Sequence, residues 1–98
     1  MNVNITPRTN VKAALTILMP HAAPAAVHGM AVTLHDYCQH NAAGERTWAM
    51  ESRSQFDGMF FMACCLGQLT SAESQQVREY VAMLDYACAR QIAWQNSF

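Results

Sequence analysis

The segment that begins at Thr70 constrains the fold more than any other part of the chain. Thr70-Ser71-Ala72-Glu73 matches a capping box, in which the Thr hydroxyl and the Glu carboxylate accept hydrogen bonds from free backbone N–H groups at the start of a helix. The apolar residues that follow are spaced by four, three, four and four: Val77, Val81, Leu84, Cys88 and Ile92. That spacing places them on one side of an α-helix. We therefore predict a helix from residue 71 to about Trp94 or Gln95, with this stripe in the core.

Three further helices are predicted before this one. The first runs from about Val11 to Met19 and is stopped by Pro20, and the second runs from Ala25 to about His40. The third covers about Ser54 to Leu66, and its pattern extends back to about Glu45. Asn41 to Gly44 is expected to be the end of the second helix and a loop, and Gly67 is expected to close the third helix. The third helix is apolar nearly all round, so we expect neighbouring elements to bury it on several sides.

Two segments have strand alternatives. The β-branched residues Val11, Thr16 and Ile17 leave a strand open for residues 11–19, and alternation leaves a short strand open for residues 47–52. A chain of 98 residues has room for one domain and one core. The predicted fold is all-α, a compact bundle of about four helices, with residues 1–10 as an irregular amino-terminal segment and residues 11–98 as a single helical domain.

The low charge of the chain predicts contacts with other proteins. Charged residues make up 13 % of the sequence, about half the usual share, and the net charge is −1. A small domain with so few ionic groups must turn Ala, Met and aromatic side chains towards water, another subunit or a partner. We therefore expect a homo-oligomer or a protein partner. Lys12 and the five arginines are scattered along the chain, which disfavours binding to nucleic acid.

The last helix carries the predicted partner-binding residues. Its apolar stripe is flanked by large side chains, and Glu79, Tyr86 and Arg90 form a polar strip beside them. Aromatic residues, Met and Arg are enriched at protein interfaces. The predicted contact residues are Tyr80, Met83, Tyr86, Arg90 and Trp94.

The histidines suggest a metal site, but their spacing argues against it. His21, His28 and His35 recur every seven residues. Seven residues of helix rise about 10 Å, whereas the ligands of one ion lie about 2 Å from it. His35 and Cys38 have a spacing that suits two ligands, and Cys64 or Cys88 could complete a site. Since the chain has no Cys-x-x-Cys pair and no zinc-finger spacing, we predict neither a metal nor a cofactor.

No catalytic motif is present either. The chain has no glycine-rich phosphate loop, no Gly-x-Ser-x-Gly and no His-Glu-x-x-His. Cys64 and Cys65 are adjacent and would point in different directions from a helix, and apolar surroundings would raise the pKa of their thiols. We predict that the protein is not an enzyme, with a metal- or thiol-dependent enzyme as the second alternative function.

A helical DNA-binding regulator is the first alternative function. Leu66-Gly67-Gln68-Leu69 would be the turn of a helix-turn-helix, and the recognition helix would begin at Ser71. Its Ser and Gln side chains can read base edges. Glu73 and the scarcity of nearby cations oppose this reading, because Arg78 is the only basic residue close by.

The sequence predicts a cytoplasmic protein without a membrane segment. No basic region near residue 1 leads into an apolar stretch like that of a signal peptide, and no apolar segment approaches the roughly 20 residues that cross a bilayer. Without an export signal, the four cysteines are expected to be reduced thiols.

In size and in its lack of catalytic signatures, the chain resembles the small accessory proteins of bacteriophages and other mobile elements. Such proteins often bind a larger protein and redirect or inhibit it. The resemblance implies a non-enzymatic protein-binding regulator or adaptor. It would occlude or redirect its partner through a surface of low charge.

Overall fold

A computed structural model describes residues 7–90, which form four helices and no strand. They are α1 (Pro7–Leu18), α2 (Pro24–Ala42), α3 (Arg46–Cys65) and α4 (Ser71–Arg90). The predicted all-α class is confirmed, and both strand alternatives are wrong because those segments lie in α1 and α3. The first helix begins at Pro7, earlier than predicted, so residues 7–10 of the expected irregular segment are helical. Proline suits this position because the first turn of a helix needs no backbone N–H donor there.

Two glycines end the middle helices as the sequence predicts. Gly44 and Gly67 have φ angles of 78° and 70°, a region that L side chains rarely adopt. After α3, the N–H of Gly67 donates to the carbonyl of Cys64 at 3.0 Å, and the N–H of Gln68 donates to that of Ala63 at 3.1 Å. This is the Schellman arrangement, which satisfies the last carbonyls of the helix. The same pair of bonds follows α2.

The predicted capping box is present at the start of α4. The backbone N–H of Thr70 donates to Oε1 of Glu73 at 2.8 Å, and the N–H of Glu73 donates to Oγ1 of Thr70 at 3.1 Å. Glu73 also lies 2.8 Å from Nε2 of His21, in the turn after α1. The hydrogen bond from the backbone of Thr70, with the charge of His21, lowers the pKa of the Glu73 carboxyl.

The helices form two layers. The closest pairings are α2 with α3 and α1 with α4, and α2 also touches α1 and α4. The molecule measures 35 × 32 × 18 Å, and its shortest dimension is about the thickness of two packed helices. At Gly29 the side chain of Met59 packs directly on α2, since a Cβ there would lie 3.0 Å from its Sδ. In a two-layer arrangement, each helix has one side that no other helix of residues 7–90 covers.

That arrangement confirms one packing prediction and overturns another. Val77, Val81, Leu84 and Cys88 of the α4 stripe are buried, and Ile92 lies outside the described residues. By contrast, α3 is not buried on several sides. Phe56, Phe60 and Ala63 face the core, whereas the outer side of α3 is uncovered by any helix of residues 7–90. The sequence pattern could not show this, because an apolar side chain has the same character whether or not a neighbour covers it.

Candidate protein-binding surfaces

The predicted contact residues on α4 divide into three groups. Tyr86 and Arg90 are exposed, and the guanidinium of Arg90 lies 5.4 Å from the centroid of the Tyr86 ring, which is a cation–π contact. Tyr80 and Met83 are half-buried, and Tyr80 packs against the core. Trp94 lies outside the described residues. The structure thus brings Tyr86 and Arg90 together at the surface, and their binding role stays a prediction.

A second surface lies on the outer side of α3, where sequence reasoning expected burial. Phe61, Met62 and Leu66 are 65 %, 55 % and 66 % exposed. At about 100° per residue, Gly58 and Cys65 lie on the same side of the helix, and both are exposed. We call this set the α3 face: Gly58, Phe61, Met62, Cys65 and Leu66. No charged residue occurs from residue 58 to residue 72, so the face is apolar and uncharged.

A shallow pocket adjoins the α3 face on the side of α2. Its volume is about 380 Å³. Its lining is apolar except for the side chain of Gln68: Ala23, Ala26, Gly58, Met59, Met62, Ala63, Leu66 and Gln68. The small alanines of α2 leave this space beside the longer side chains of α3. The α3 face therefore combines a protruding Phe61 with a depression that an apolar side chain can enter.

The uncharged run from residue 58 to residue 72 was the available signal for this surface. It showed that this segment has no charged side chain to interact with water. It could not show which side would remain uncovered. The mixed outer side near the start of α3, with Trp48 and Met50 beside Glu51, has exposed apolar residues too, but it is interrupted by charge.

A polar cluster joins three helices on the other side of α3. The guanidinium of Arg53 donates to Asp85 through Nε and Nη2, both at 3.0 Å, and it also pairs with Asp57. The hydroxyl of Tyr37 donates to Oδ1 of Asp85 at 2.7 Å. Burial lowers the pKa of Arg53, but the hydrogen bonds and the charge of Asp85 outweigh it, so the net shift is upwards. Burial and the bond to Asp85 raise the pKa of Tyr37.

This cluster links α2, α3 and α4 through hydrogen bonds to Asp85. Asp85 lies outside the apolar stripe of α4. No local signal identifies its partners, because Tyr37 and Arg53 lie 48 and 32 residues away in the sequence. Only the packing of α2 and α3 beside α4 brings them together.

An open groove between α3 and α4 adjoins the cluster. Phe56 and Phe60 line it with parallel rings 5.9 Å apart, and the guanidinium of Arg78 lies 5.3 Å from the centroid of Phe60. The groove has a volume of about 320 Å³. Arg78 stacks on the ring of Phe60. It is the basic residue near the turn at residues 66–69 that a helix-turn-helix would use, and here it contacts the protein itself.

The thiols are arranged as small core residues. Sγ of Cys88 lies 4.0 Å from Sγ of Cys38, and both are buried between α2 and α4. The side-chain hydrogen bond between the two thiols and burial both raise the pKa of the Cys38 thiol. Cys64 is half-buried 3.5 Å from the hydroxyl of Ser74, whereas Cys65 is exposed on the α3 face.

The candidate metal ligands do not converge within residues 7–90. No group of three or more His, Cys, Asp or Glu side chains in this part of the chain is placed to hold an ion. His35 contacts Gln39, one turn further along α2, while Cys38 is buried against Cys88. His40 pairs with Glu45 at 2.8 Å, and His21 pairs with Glu73.

Comparisons with protein-family models, with curated protein sequences and with solved structures find no match to this chain. None of the helices within residues 7–90 combines the length and the apolar character needed to cross a membrane.

Proposed function

We propose that this protein is a non-enzymatic protein-binding regulator or adaptor, which acts by occluding or redirecting a protein partner. The observation that carries the proposal is the α3 face. Three large apolar side chains stand more than half exposed on one uncharged side of a helix. Contiguous apolar patches of this kind mark sites of protein interaction in soluble domains.

The chemistry of the face suits protein rather than nucleic acid or a small polar substrate. Phe, Met and Leu supply large contact areas, and desolvating them costs little because no charge must be stripped of water. Arg53 and Arg78 are engaged with Asp85 and with the ring of Phe60, so neither supports a phosphate-binding surface in its present conformation.

Co-purification with matched variants tests the proposal. A tagged chain is expressed in its host together with an untagged copy, and captured proteins are identified by mass spectrometry. Met62→Asp places a carboxylate in the α3 face, whereas Met50→Asp makes the same change at an exposed methionine outside it. We expect proteins, whether host proteins or the untagged chain, to be captured by the wild type and by Met50→Asp and to be lost with Met62→Asp. Equal capture by all three would contradict a role for the face.

Tyr86 and Arg90 on α4 are proposed as a second contact site for a larger protein. Tyr and Arg are the residue types enriched at binding hot spots. Replacing both by alanine leaves the core intact, because both side chains are exposed. We expect the double variant to retain its melting temperature and to bind a captured host protein more weakly. Unchanged affinity would remove α4 from the binding surface.

A further inference from the structure

We propose that the α3 face binds a second copy of this chain, forming a two-fold symmetric dimer in which Phe61 of each copy enters the pocket beside Met62 and Leu66 of the other. This inference rests on the proposed protein-binding function and names the partner at that face.

The absence of charge on the α3 face suits a contact between identical copies. A two-fold interface places the same patch of both copies in contact, so any charge near the axis faces its own duplicate. The α3 face tolerates this, because residues 58–72 carry no charge. Glu51 lies on the same side of α3, about 10 Å before Gly58. The two copies of α3 must therefore diverge towards their starts, which keeps Glu51 away from its duplicate. The outer side of α1 shows the contrast. It also has exposed apolar groups, including Met19, but Arg8 and Lys12 line the same groove and would repel their duplicates.

The protruding side chain and the pocket that could receive it lie on one surface. A two-fold contact requires each partner to present both complementary shapes, and the α3 face has a protruding Phe61 next to an apolar pocket of about 380 Å³. An aromatic side chain seated in a neighbouring pocket is the usual anchor of a protein interface.

The positions of these features on α3 define the direction of the axis. Along the helix, Phe61 is level with the pocket, whose α3 lining runs from Gly58 to Leu66. Around the helix, Phe61 lies on one side of the line that joins Gly58 and Cys65, and Met62 lies on the other. An axis parallel to α3 brings each Phe61 opposite the pocket of its partner. An axis perpendicular to α3 would bring Phe61 onto Phe61 instead.

The size of the face indicates a dimer of moderate strength. Exposed apolar patches on monomers commonly cover about 300–600 Å², and a standard interface removes roughly 800 Å² from each partner. A standard interface uses roughly 20–30 residues of each partner, whereas the α3 face consists of five, so this contact is a small one. We therefore expect a dissociation constant on the order of micromolar.

Sedimentation equilibrium over a wide concentration range tests the dimer. We expect a monomer–dimer equilibrium for the wild type and for Met50→Asp, and a loss of affinity of at least about 30-fold for Met62→Asp. Thermal melts monitored by circular dichroism check that both variants fold. If Met62→Asp does not fold, Phe61→Ser serves as a second variant that should disrupt the dimer. A monomeric wild type at all concentrations, or equal weakening by Met50→Asp, overturns the inference.

Disulfide crosslinking tests the direction of the axis. An axis parallel to α3 pairs residue 65 with residue 65 and residue 58 with residue 58. A thiol oxidant such as diamide, which accepts the two electrons and two protons, should then crosslink copies through Cys65. It should also crosslink the double variant Gly58→Cys, Cys65→Ser. A Cβ added at residue 58 meets nothing within 4 Å in the monomer, so the new cysteine fits there. Cys65→Ser alone is the control and should stay uncrosslinked.

A perpendicular axis predicts a different result. Positions 58 and 65 are about 10 Å apart along the helix, so an axis through one would leave the other pair about 20 Å apart, too far for a disulfide. Crosslinking at only one position, or at neither, therefore overturns the proposed dimer geometry.

These results separate the inference from the function on which it rests. If the wild type is monomeric but captures host proteins in a manner that depends on Met62, the second copy is wrong and the protein-binding function stands. If nothing is captured and the chain is monomeric, both fail.

Discussion

Helices α3 and α4 differ in how their apolar residues are distributed between the core and the surface. In α4 the apolar stripe faces the core, and the outer side carries exposed polar groups such as Arg78 and Glu79. In α3 the apolar residues lie on both sides, with Phe56 1 % exposed and Phe61 65 % exposed. The difference teaches that apolar character alone predicts burial only where a second layer exists to provide it.

The polar residues of the two helices show that a residue outside the apolar stripe can still connect helices. Asp85 lies outside the stripe of α4, yet it bonds to Arg53 of α3 and to Tyr37 of α2. A polar residue thus links three helices, while the apolar α3 face supports none of the described core. Variants at Phe56, Phe61 and Asp85 measure how much each of these residues stabilises the fold.

The largest effect is expected from comparing the two sides of α3. Phe56→Ala removes a buried ring that stacks on Phe60, and it should lower the free energy of unfolding by about 3–5 kcal/mol. Phe61→Ala makes the same chemical change on the exposed side and should cost at most about 0.5 kcal/mol in the monomer. Urea unfolding at a concentration below the dimer dissociation constant measures both. Similar losses for the two variants would show that the α3 face is covered within one chain.

The next effect concerns the cluster that joins α4 to α3. Asp85→Asn keeps the shape of the side chain but removes the negative charge of the carboxylate, which accepts hydrogen bonds from Arg53 and Tyr37. We expect a loss of about 1–2 kcal/mol, reduced from the value for a buried ion pair because both side chains are partly exposed. Asp57→Asn is the matched control and should cost less than about 0.5 kcal/mol, since that pair lies within α3 and is more exposed. Equal losses would place the linkage elsewhere.

A smaller effect is expected at the start of α4. Thr70→Ala removes the hydroxyl that accepts the N–H of Glu73, and it should cost about 1 kcal/mol, which corresponds to a fall in melting temperature of about 5 °C. Thr70→Ser retains an acceptor and should recover most of the loss. A serine variant as unstable as the alanine variant would indicate that the methyl group, not the cap, is responsible.

The smallest effect is the pH dependence of that cap. Because the pKa of Glu73 is lower in the folded chain than in the unfolded chain, its contribution is fully present above the ordinary carboxyl pKa of about 4.3 and is lost as pH falls through the folded value. Glu73→Gln should therefore lower the melting temperature at pH 7, and the difference from the wild type should shrink as the solution is acidified towards pH 3. A difference that stays constant with pH would rule out the carboxylate charge as its source.

Local signals predicted most of the fold. The capping box of Thr70 and Glu73, the ends at Gly44 and Gly67, and the spacing of the α4 stripe all depend on residues within a few positions of one another. Each is fulfilled in the structure. The start of α1 was placed too late because Pro7 belongs to the first turn rather than to the segment before it.

The candidate sites were only partly predictable. Tyr86 and Arg90 were correctly expected at the surface, since they lie opposite the centre of the buried stripe. Tyr80 and Met83 are half-buried, and α4 pairs most closely with α1, a pairing that no local pattern specifies.

The sequence by itself determined that four segments are helical and which side of α4 is buried, because caps, glycine stops and periodic apolar residues act over one or two turns. The tertiary structure decided that no other helix of residues 7–90 covers Phe61, Met62 and Leu66, and that Asp85 meets Tyr37 and Arg53. Both outcomes depend on which helices become neighbours. In two layers, a helix that is apolar all round has only one side on which the rest of the chain can pack.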